Sequence, residues 1–195
     1  MTGGALWRSF AAGALNGNLT EEQLKELLSD LDVKLFQLPK ATRLQVVKRL
    51  AAKPARQFPF LIAQEAGRLF HRESSLWEEA ILMLSGALPH LPRGERAMFF
   101  YFLFEAVEEG DNRTRMAAFG AVMKMGTEAE EFVPMIKGIL ENGAKEDRKA
   151  ALRVLIAHAG ANPRAEDIIR LVSTKDPDPE VRKLASRALM GIGDR

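Results

Sequence analysis

One helical motif recurs along the last two thirds of the chain, and the spacing of its copies limits the fold more than any other feature. In the final copy, DPDPEVRKLASRALMGIG (176–193), Asp178 is placed to cap the start of a helix. Arg182 of this copy aligns with Arg148 at an offset of 34 residues, and Arg148 aligns with Arg115 at an offset of 33 residues. Such a constant period predicts an array of similar helical units.

Small and apolar residues follow the same period. Ala118, Ala151 and Ala185 occupy equivalent positions in the last three copies, and a weaker copy, LWEEAILMLSG, places Ala80 beneath them. Between the copies lie second helices, of which NPRAEDIIRLVSTKD (162–176) begins with a capping asparagine followed by a proline. A helix pair of this kind cannot bury its apolar stripe alone, so stacked neighbours must complete the core.

No stretch competes as a β-strand, because alternating apolar and polar residues joined by hairpin turns are absent. The one β-prone run, FFYFLF (99–104), lies inside a longer segment between Pro92 and Gly110, and a buried helix explains it better. We therefore predict an all-α protein of about ten to twelve helices. Capping-box signals for helix starts occur at Thr20–Gln23, Ser75–Glu78 and Thr127–Glu130.

The repeats predict one continuous domain, a right-handed α-solenoid in which helix pairs stack into a superhelix. Residues 1–73 are helical but do not follow the period, and we expect them to cap the array. The final half-repeat has one helix and no second helix after it, so we expect Leu189 and Met190 to form either a cap or a docking edge. The repeat units are expected at 74–110, 111–143 and 144–176, and the half-repeat at 177–195.

The motif in DPDPEVRKLASRALMGIGD resembles HEAT-like repeats, most closely the short variety found in phycobilisome-lyase-type repeat proteins. The shared pattern is an aspartate, a Val-Arg pair, spaced alanines, a leucine and a Gly-Ile-Gly end. The resemblance implies that an aspartate and an arginine cap helices and link neighbouring repeats, roles that fall to Asp111, Arg115, Arg148, Asp178 and Arg182. The unit of Arg148 departs from the pattern, because position 144 is alanine where the aspartate is expected.

Charge is distributed unevenly along the chain, although the net charge is only +2. Residues 33–72 contain nine Lys or Arg and one acidic residue, whereas residues 73–144 contain six basic and twelve acidic residues. The basic segment predicts a positive face that binds an acidic protein partner or, as a less favoured alternative, nucleic acid through its phosphates. We assign this face to Arg43, Lys48, Arg49, Lys53 and Arg56.

The sequence offers no catalytic or metal-binding pattern. Cysteine is absent, which is typical of a reducing compartment, and His71, His90 and His158 lack the spacing of metal ligands. No apolar run reaches the roughly 20 residues that a membrane span needs. We therefore expect a cytoplasmic protein with no membrane span, no cofactor and no enzymatic activity.

The predicted function is a non-catalytic scaffold or adaptor that binds another protein along the surface of the solenoid. Two alternatives stay open. HEAT-like alkylpurine glycosylases bind DNA in a basic cleft, and Trp77 beside Glu78 and Glu79 is the nearest match to their aromatic and carboxylate groups. A lyase or chaperone that acts on a modified partner protein is implied by the resemblance to one branch of the repeat family.

Overall fold

The computed structural model describes residues 3–14, 18–125, 132–159 and 163–193. Throughout these ranges the regular structure is helical, with no β-strand, which confirms the prediction of an all-α protein. The α-helices and two short 3-10 turns follow in chain order as α1 (Gly3–Ala11), α2 (Glu21–Leu28), α3 (Leu31–Phe36), α4 (Lys40–Leu50), α5 (Lys53–Gln57), α6 (Pro59–Arg72), a turn (Ser74–Leu76), α7 (Trp77–Ala87), a turn (Leu88–His90), α8 (Arg93–Glu108), α9 (Asn112–Met123), α10 (Val133–Asn142), α11 (Lys145–His158), α12 (Pro163–Lys175) and α13 (Pro179–Gly193).

Contacts divide the chain into two compact units, Met1–Ala121 and Val122–Arg195, and the boundary lies inside α9. The first unit contains α1 to α8 and most of α9, whereas the second contains α10 to α13. The repeat boundary that the sequence predicts after residue 73 lies inside the first unit, just beyond α6. The boundaries of the repeat units and the right-handed superhelix both stay predictions.

The core of the first unit is built where α6 packs along α7. Ile62, Ala66 and Leu69 recur on one side of α6 at helical spacing and are almost completely shielded from solvent. Gly86 of α7 lies against the backbone of Ala51 at the end of α4, so closely that a Cβ atom on residue 86 would overlap the Ala51 carbonyl oxygen. Glycine at this position therefore sets the close approach of α4 and α7.

The second unit is a small helical stack in which each helix contacts the next one along the chain. In addition, α10 lies beside α12, and α11 lies beside α13, so the four helices form two rows. The repeated alanines Ala151 and Ala185 are completely buried on α11 and α13, and Leu155 and Val181 are buried with them. The small side chains allow the helices of one row to approach closely, as the repeat pattern predicts.

The structure confirms one of the predicted capping boxes, at Thr20, and contradicts another, at Ser75. The box at Thr20 is confirmed, because the backbone N–H of Gln23 donates to Thr20 Oγ1 at 3.2 Å, and the N–H of Thr20 donates to Gln23 Oε1 at 2.9 Å. The box at Ser75 is wrong, because α7 begins after a 3-10 turn and no side chain caps it. The Glu78 carboxylate pairs with Lys40 instead, at 2.9 Å.

Prolines lie at the start of three helices of the second unit, and the sequence predicts the one that begins α12. Pro163 is the first residue of α12, Pro179 is the first residue of α13, and Pro134 is the second residue of α10. A proline is favourable there because its missing N–H has no partner in the first helical turn. The predicted signals at Asn162 and Thr127–Glu130 lie outside the described residues.

The aromatic run FFYFLF is part of α8, as predicted, but its predicted burial is only partly right. Phe99, Phe100 and Phe102 are buried, whereas Tyr101 is 57% exposed and Met98 is 58% exposed. The helix is apolar on nearly all sides, and the first unit covers only one part of its circumference. One apolar side of α8 therefore faces solvent.

Candidate functional site

Arg43, which the sequence predicts on an exposed positive face, forms an ion pair inside the protein. Arg43 Nε on α4 lies 3.0 Å from Glu79 Oε1 on α7, and the Glu79 side chain is completely buried. The two atoms are close but poorly aligned for a hydrogen bond, so the attraction is mainly between the charges. Beside this pair, Lys40 Nζ lies 2.9 Å from Glu78 Oε2. The two pairs tie α4 to α7.

Arg49 also points into the protein. Its Nη1 donates to the backbone oxygens of Phe10 at 3.0 Å and Ala11 at 2.8 Å, and so it satisfies carbonyls at the end of α1. Lys53 bonds to the side chain of Asn18. Of the five cations predicted to form one positive face, Lys48 and Arg56 are exposed without a partner among the described residues.

The remaining cations of residues 33–72 are engaged as well. Lys34 donates to backbone oxygens at the end of α2, Arg72 Nη1 lies 2.8 Å from Asp32, and Arg68 Nη1 lies 2.9 Å from Glu65. Together with the contacts above, seven of the nine cations of the segment have partners in the chain. Most of these cations are therefore engaged within the chain, four of them by carboxylates and three by neutral oxygen atoms.

Two acidic side chains are buried in the first unit, Asp32 on α3 and Glu65 on α6. Both side chains are less than one tenth exposed, and each has an arginine beside it. Burial raises the pKa of Glu65 to about 7, and the negative charge of Asp32 adds to this effect while Arg68 opposes it. This carboxyl group changes its charge near neutral pH.

An open cleft of about 600 Å³ lies beside the two ion pairs of α4 and α7. Trp77 borders it, but the indole ring is stacked on Phe70 at a centroid distance of 4.3 Å, and its Nε1 donates to the Phe70 carbonyl at 2.8 Å. Glu78 and Glu79 both face a cation, so neither of these two glutamates is a free carboxylate beside Trp77. The lining residues are Lys40, Arg43, Ser74, Ser75, Trp77, Glu78, Glu109, Gly110, Asp111 and Thr114.

The aspartates at helix starts accept backbone hydrogen bonds. Asp111 Oδ1 accepts from the N–H of Thr114 at 2.8 Å, and this bond holds the pKa of Asp111 below its usual range. Asp178 Oδ1 accepts from the N–H of Glu180 at 2.8 Å at the start of α13. Arg115 is half-buried on α9. These positions are the ones that the family resemblance assigns to capping and repeat linkage.

Two arginines of the repeat motif converge on the loop before α13. Arg182 Nη1 donates to the backbone oxygens of Asp176 at 2.6 Å and Pro177 at 3.0 Å. Arg148 Nε lies 2.9 Å from Asp176 Oδ2, and its Nη2 lies 3.1 Å from Oδ1. The motif predicts an acidic partner for Arg148 at position 144, whereas in the structure the partner is Asp176, directly after the end of α12.

A groove with an apolar lining lies between α10 and α12 in the second unit. Its volume is about 150 Å³, and Leu171 is 49% exposed on its side. The site residues predicted from the sequence do not include these. The available signal was Leu171 itself, an apolar residue that falls off the buried stripe of Ala165, Ile169 and Val172. The groove is lined by Lys137, Leu140, Glu141, Ile168, Leu171, Val172, Lys175, Asp176 and Pro177.

The predicted docking edge on α13 differs between its two residues. Met190 is 64% exposed, whereas Leu189 is half-buried. A role for them in docking stays a prediction.

Within the described ranges, we find no group of three or more His, Cys, Asp or Glu placed to hold a metal ion. No helix there is long and apolar enough to cross a membrane.

Comparison of the chain with protein-family models finds no match, and comparison with curated proteins finds none either. The resemblance to HEAT-like repeats therefore rests on the repeated motif of the sequence. Function has to be inferred from the surfaces described above.

Proposed function

We propose that this protein is a non-catalytic adaptor that binds a segment of another protein in the groove between α10 and α12. The observation that carries the proposal is an apolar groove with a charged rim, in which Leu171 is 49% exposed and Ile168 is half-buried. Leu140, Ile168 and Leu171 provide the apolar surface. Exposed apolar surface with a polar rim is typical of protein-binding sites.

The size of the groove favours a protein segment over a small molecule. Pockets for small molecules and cofactors usually enclose about 300 to 1,000 Å³, and this groove has a volume of about 150 Å³. That space suits one or two side chains of a partner. An amphipathic helix that places its apolar side chains at helical spacing would fit along α10 and α12.

The rim favours a partner with acidic residues beside its apolar ones. Lys137 and Lys175 border the groove from α10 and α12, and Glu141 is the acidic residue between them. Lys137 Nζ lies 3.8 Å from Glu141 Oε1, a loose and exposed contact that is easily exchanged. Asp176 also lies at the rim, but its carboxylate is occupied by Arg148. Lys175 is therefore available to an acidic group of the partner.

The sequence resemblance supports the same function, because HEAT-like units stack helix pairs into extended binding surfaces. Nucleic-acid binding is less favoured. A protein that neutralises several phosphates needs cations free to contact them, and seven of the nine cations in residues 33–72 already contact groups of this chain.

The test is a comparison of two surface variants in a pull-down from the source cells. Leu171→Asp places a charge in the groove, and Arg153→Asp places the same residue at an exposed position of α11 outside it. We expect a discrete protein to be retained by the wild type and by Arg153→Asp but not by Leu171→Asp, with and without nuclease. Equal retention by both variants, or a capture that disappears with nuclease, would contradict the proposal.

A further inference from the structure

One side of α8 in the first unit is apolar at its centre and oppositely charged at its two ends. Residues at helical spacing on this side are exposed, from Gly94 and Ala97 through Met98 and Tyr101 to Glu108. Met98 and Tyr101 are each more than half exposed, and the nearby Phe60 of α6 is 43% exposed. Large apolar side chains that cluster in this way usually mark an interaction surface.

The charges on α8 are distributed so that the helix complements itself. Arg93 is the exposed charged residue of its first turn, where Glu95 and Arg96 are half-buried, and Glu108 is the exposed charged residue of its last turn, where Glu105 is half-buried. The two ends are 15 residues apart, or about 22 Å along the helix axis. The midpoint between Arg93 and Glu108 falls next to Tyr101, at the centre of the apolar part.

We propose that two copies of this chain associate through α8, with the two helices antiparallel about a two-fold axis near Tyr101. In this arrangement, Arg93 of each copy faces Glu108 of the other, so two ion pairs flank the apolar centre. An isologous contact of this kind satisfies both copies with the same residues. A parallel arrangement would instead place like charges together at each end.

Small residues allow the two helices to approach. A Cβ atom on Gly94 would meet nothing within 4 Å, so the surface above it is open, and Ala97 adds only a methyl group beside it. Interaction with the Glu105 carboxylate of the same helix raises the pKa of Tyr101. The ring is a flat apolar platform on which Met98 or Tyr101 of the second copy can pack.

The expected affinity is modest. A helix of 16 residues is about 24 Å long, and one helix pair buries less than the roughly 800 Å² per partner of a standard stable interface. We therefore expect monomer and dimer to exchange at micromolar concentrations. This inference uses a surface of the first unit and does not depend on the groove between α10 and α12.

The experiment is sedimentation of the full chain over a concentration series from about 1 to 500 µM, a range that spans weak association. Met98→Glu is expected to raise the dissociation constant by about tenfold or more, because it places a charge in the apolar centre. Met116→Glu is the matched control, since Met116 is 39% exposed on α9. It should leave the dissociation constant unchanged.

Charge reversal tests the antiparallel geometry. Arg93→Glu and Glu108→Arg should each weaken the dimer, because each places like charges opposite one another, and the double variant should recover the wild-type dissociation constant. The single effects should shrink at high salt. A chain that stays monomeric at about 500 µM, a dimer that Met98→Glu leaves intact, or a double variant that is weaker than both single variants would overturn the proposal.

Discussion

Arg148 and Asp176, 28 residues apart in the chain, form a two-point ion pair that joins the start of α11 to the end of α12. The Asp176 side chain is only 2% exposed and that of Arg148 is 11% exposed. Asp176 Oδ1 also accepts a hydrogen bond from the N–H of Asp178 at 2.8 Å, and Arg148 Nη1 donates to the carbonyl of Gly143 at 2.9 Å. Two loops of the second unit are thus held by one buried pair.

Asp176→Ala is expected to destabilise the protein by about 3 kcal/mol, because it leaves the Arg148 guanidinium shielded from water without its counter-charge. Chemical denaturation with urea measures the loss. Glu166→Ala is the matched control, since it removes an exposed pair with Arg170 at 2.7 Å, and exposed pairs contribute less than about 1 kcal/mol. Equal losses for the two variants would contradict a structural role of the buried pair.

The fold class of this chain could be predicted from the sequence, but this ion pair could not. The repeated arginines, alanines and leucines follow helical periodicity, and that signal is local. The pairing of Arg148 depends on which loop approaches it in space. Position 144, where the motif predicts an acidic residue for Arg148, is alanine. The carboxylate comes instead from Asp176, at the end of α12.

The buried pair of Arg43 and Glu79 leads to a second prediction. Arg43→Ala should destabilise the first unit by about 3 kcal/mol or more, because the completely buried Glu79 carboxylate loses its counter-charge. The double variant Arg43→Met with Glu79→Leu should recover most of this loss, since apolar residues of similar size need no counter-charge. Thermal or urea unfolding of the three proteins measures the difference.

Lys25→Ala is the control for this pair, because it breaks an exposed contact with Glu21 at 2.6 Å and should leave the free energy of unfolding nearly unchanged. A double variant no more stable than Arg43→Ala would show that the ion pair itself, and not the burial of a lone charge, determines stability at this site.

The stability of the first unit should depend on pH through Glu65. Its pKa is about 7 in the folded protein against 4.5 as the ordinary value. When the pKa of a carboxyl group is higher in the folded than in the unfolded chain, its contribution to stability is complete at pH values below the unfolded pKa. This contribution is lost as the pH rises through the folded pKa. Glu65→Gln stays neutral, so it should match the wild type near pH 4 to 5 and exceed it by on the order of 3 kcal/mol at pH 8.

The measurement is the difference in unfolding free energy between wild type and Glu65→Gln across this pH range. Taking the difference removes the contribution of all other titrating groups. Parallel curves from pH 5 to pH 8 would show that the folded protein does not perturb Glu65.

Gly86 provides a test of the packing between α4 and α7. Gly86→Ala should destabilise the protein by about 2 kcal/mol or more, since the added Cβ would overlap the Ala51 carbonyl and lie 2.6 Å from its Cα. Gly138→Ala on α10 is the matched control, because nothing lies within 4 Å of its Cβ position. Alanine there should stabilise the helix by about 0.5 to 1 kcal/mol. Two changes of the same sign and size would contradict this packing.

The candidate site could be predicted less well than the fold. A cluster of basic residues in the sequence suggests a positive face, but Arg49 caps α1 and Arg43 faces a buried carboxylate, and neither partner is close in sequence. The groove between α10 and α12, in contrast, is present in the structure but was not predicted from the sequence. Leu171 falls off the buried stripe of α12, but this local signal does not predict the groove, which forms where α10 packs beside α12.

The most direct test of the proposed function is site-specific photo-crosslinking from position 171 in the source cells, with position 153 as the control. We predict that a photoreactive residue at 171 forms an adduct with one discrete protein, distinct in mass from a second copy of this chain, and that position 153 does not. The adduct should persist after nuclease treatment. Absence of a protein adduct at 171, with nuclease-sensitive adducts from Lys48 and Arg56, would contradict the adaptor function and favour nucleic-acid binding.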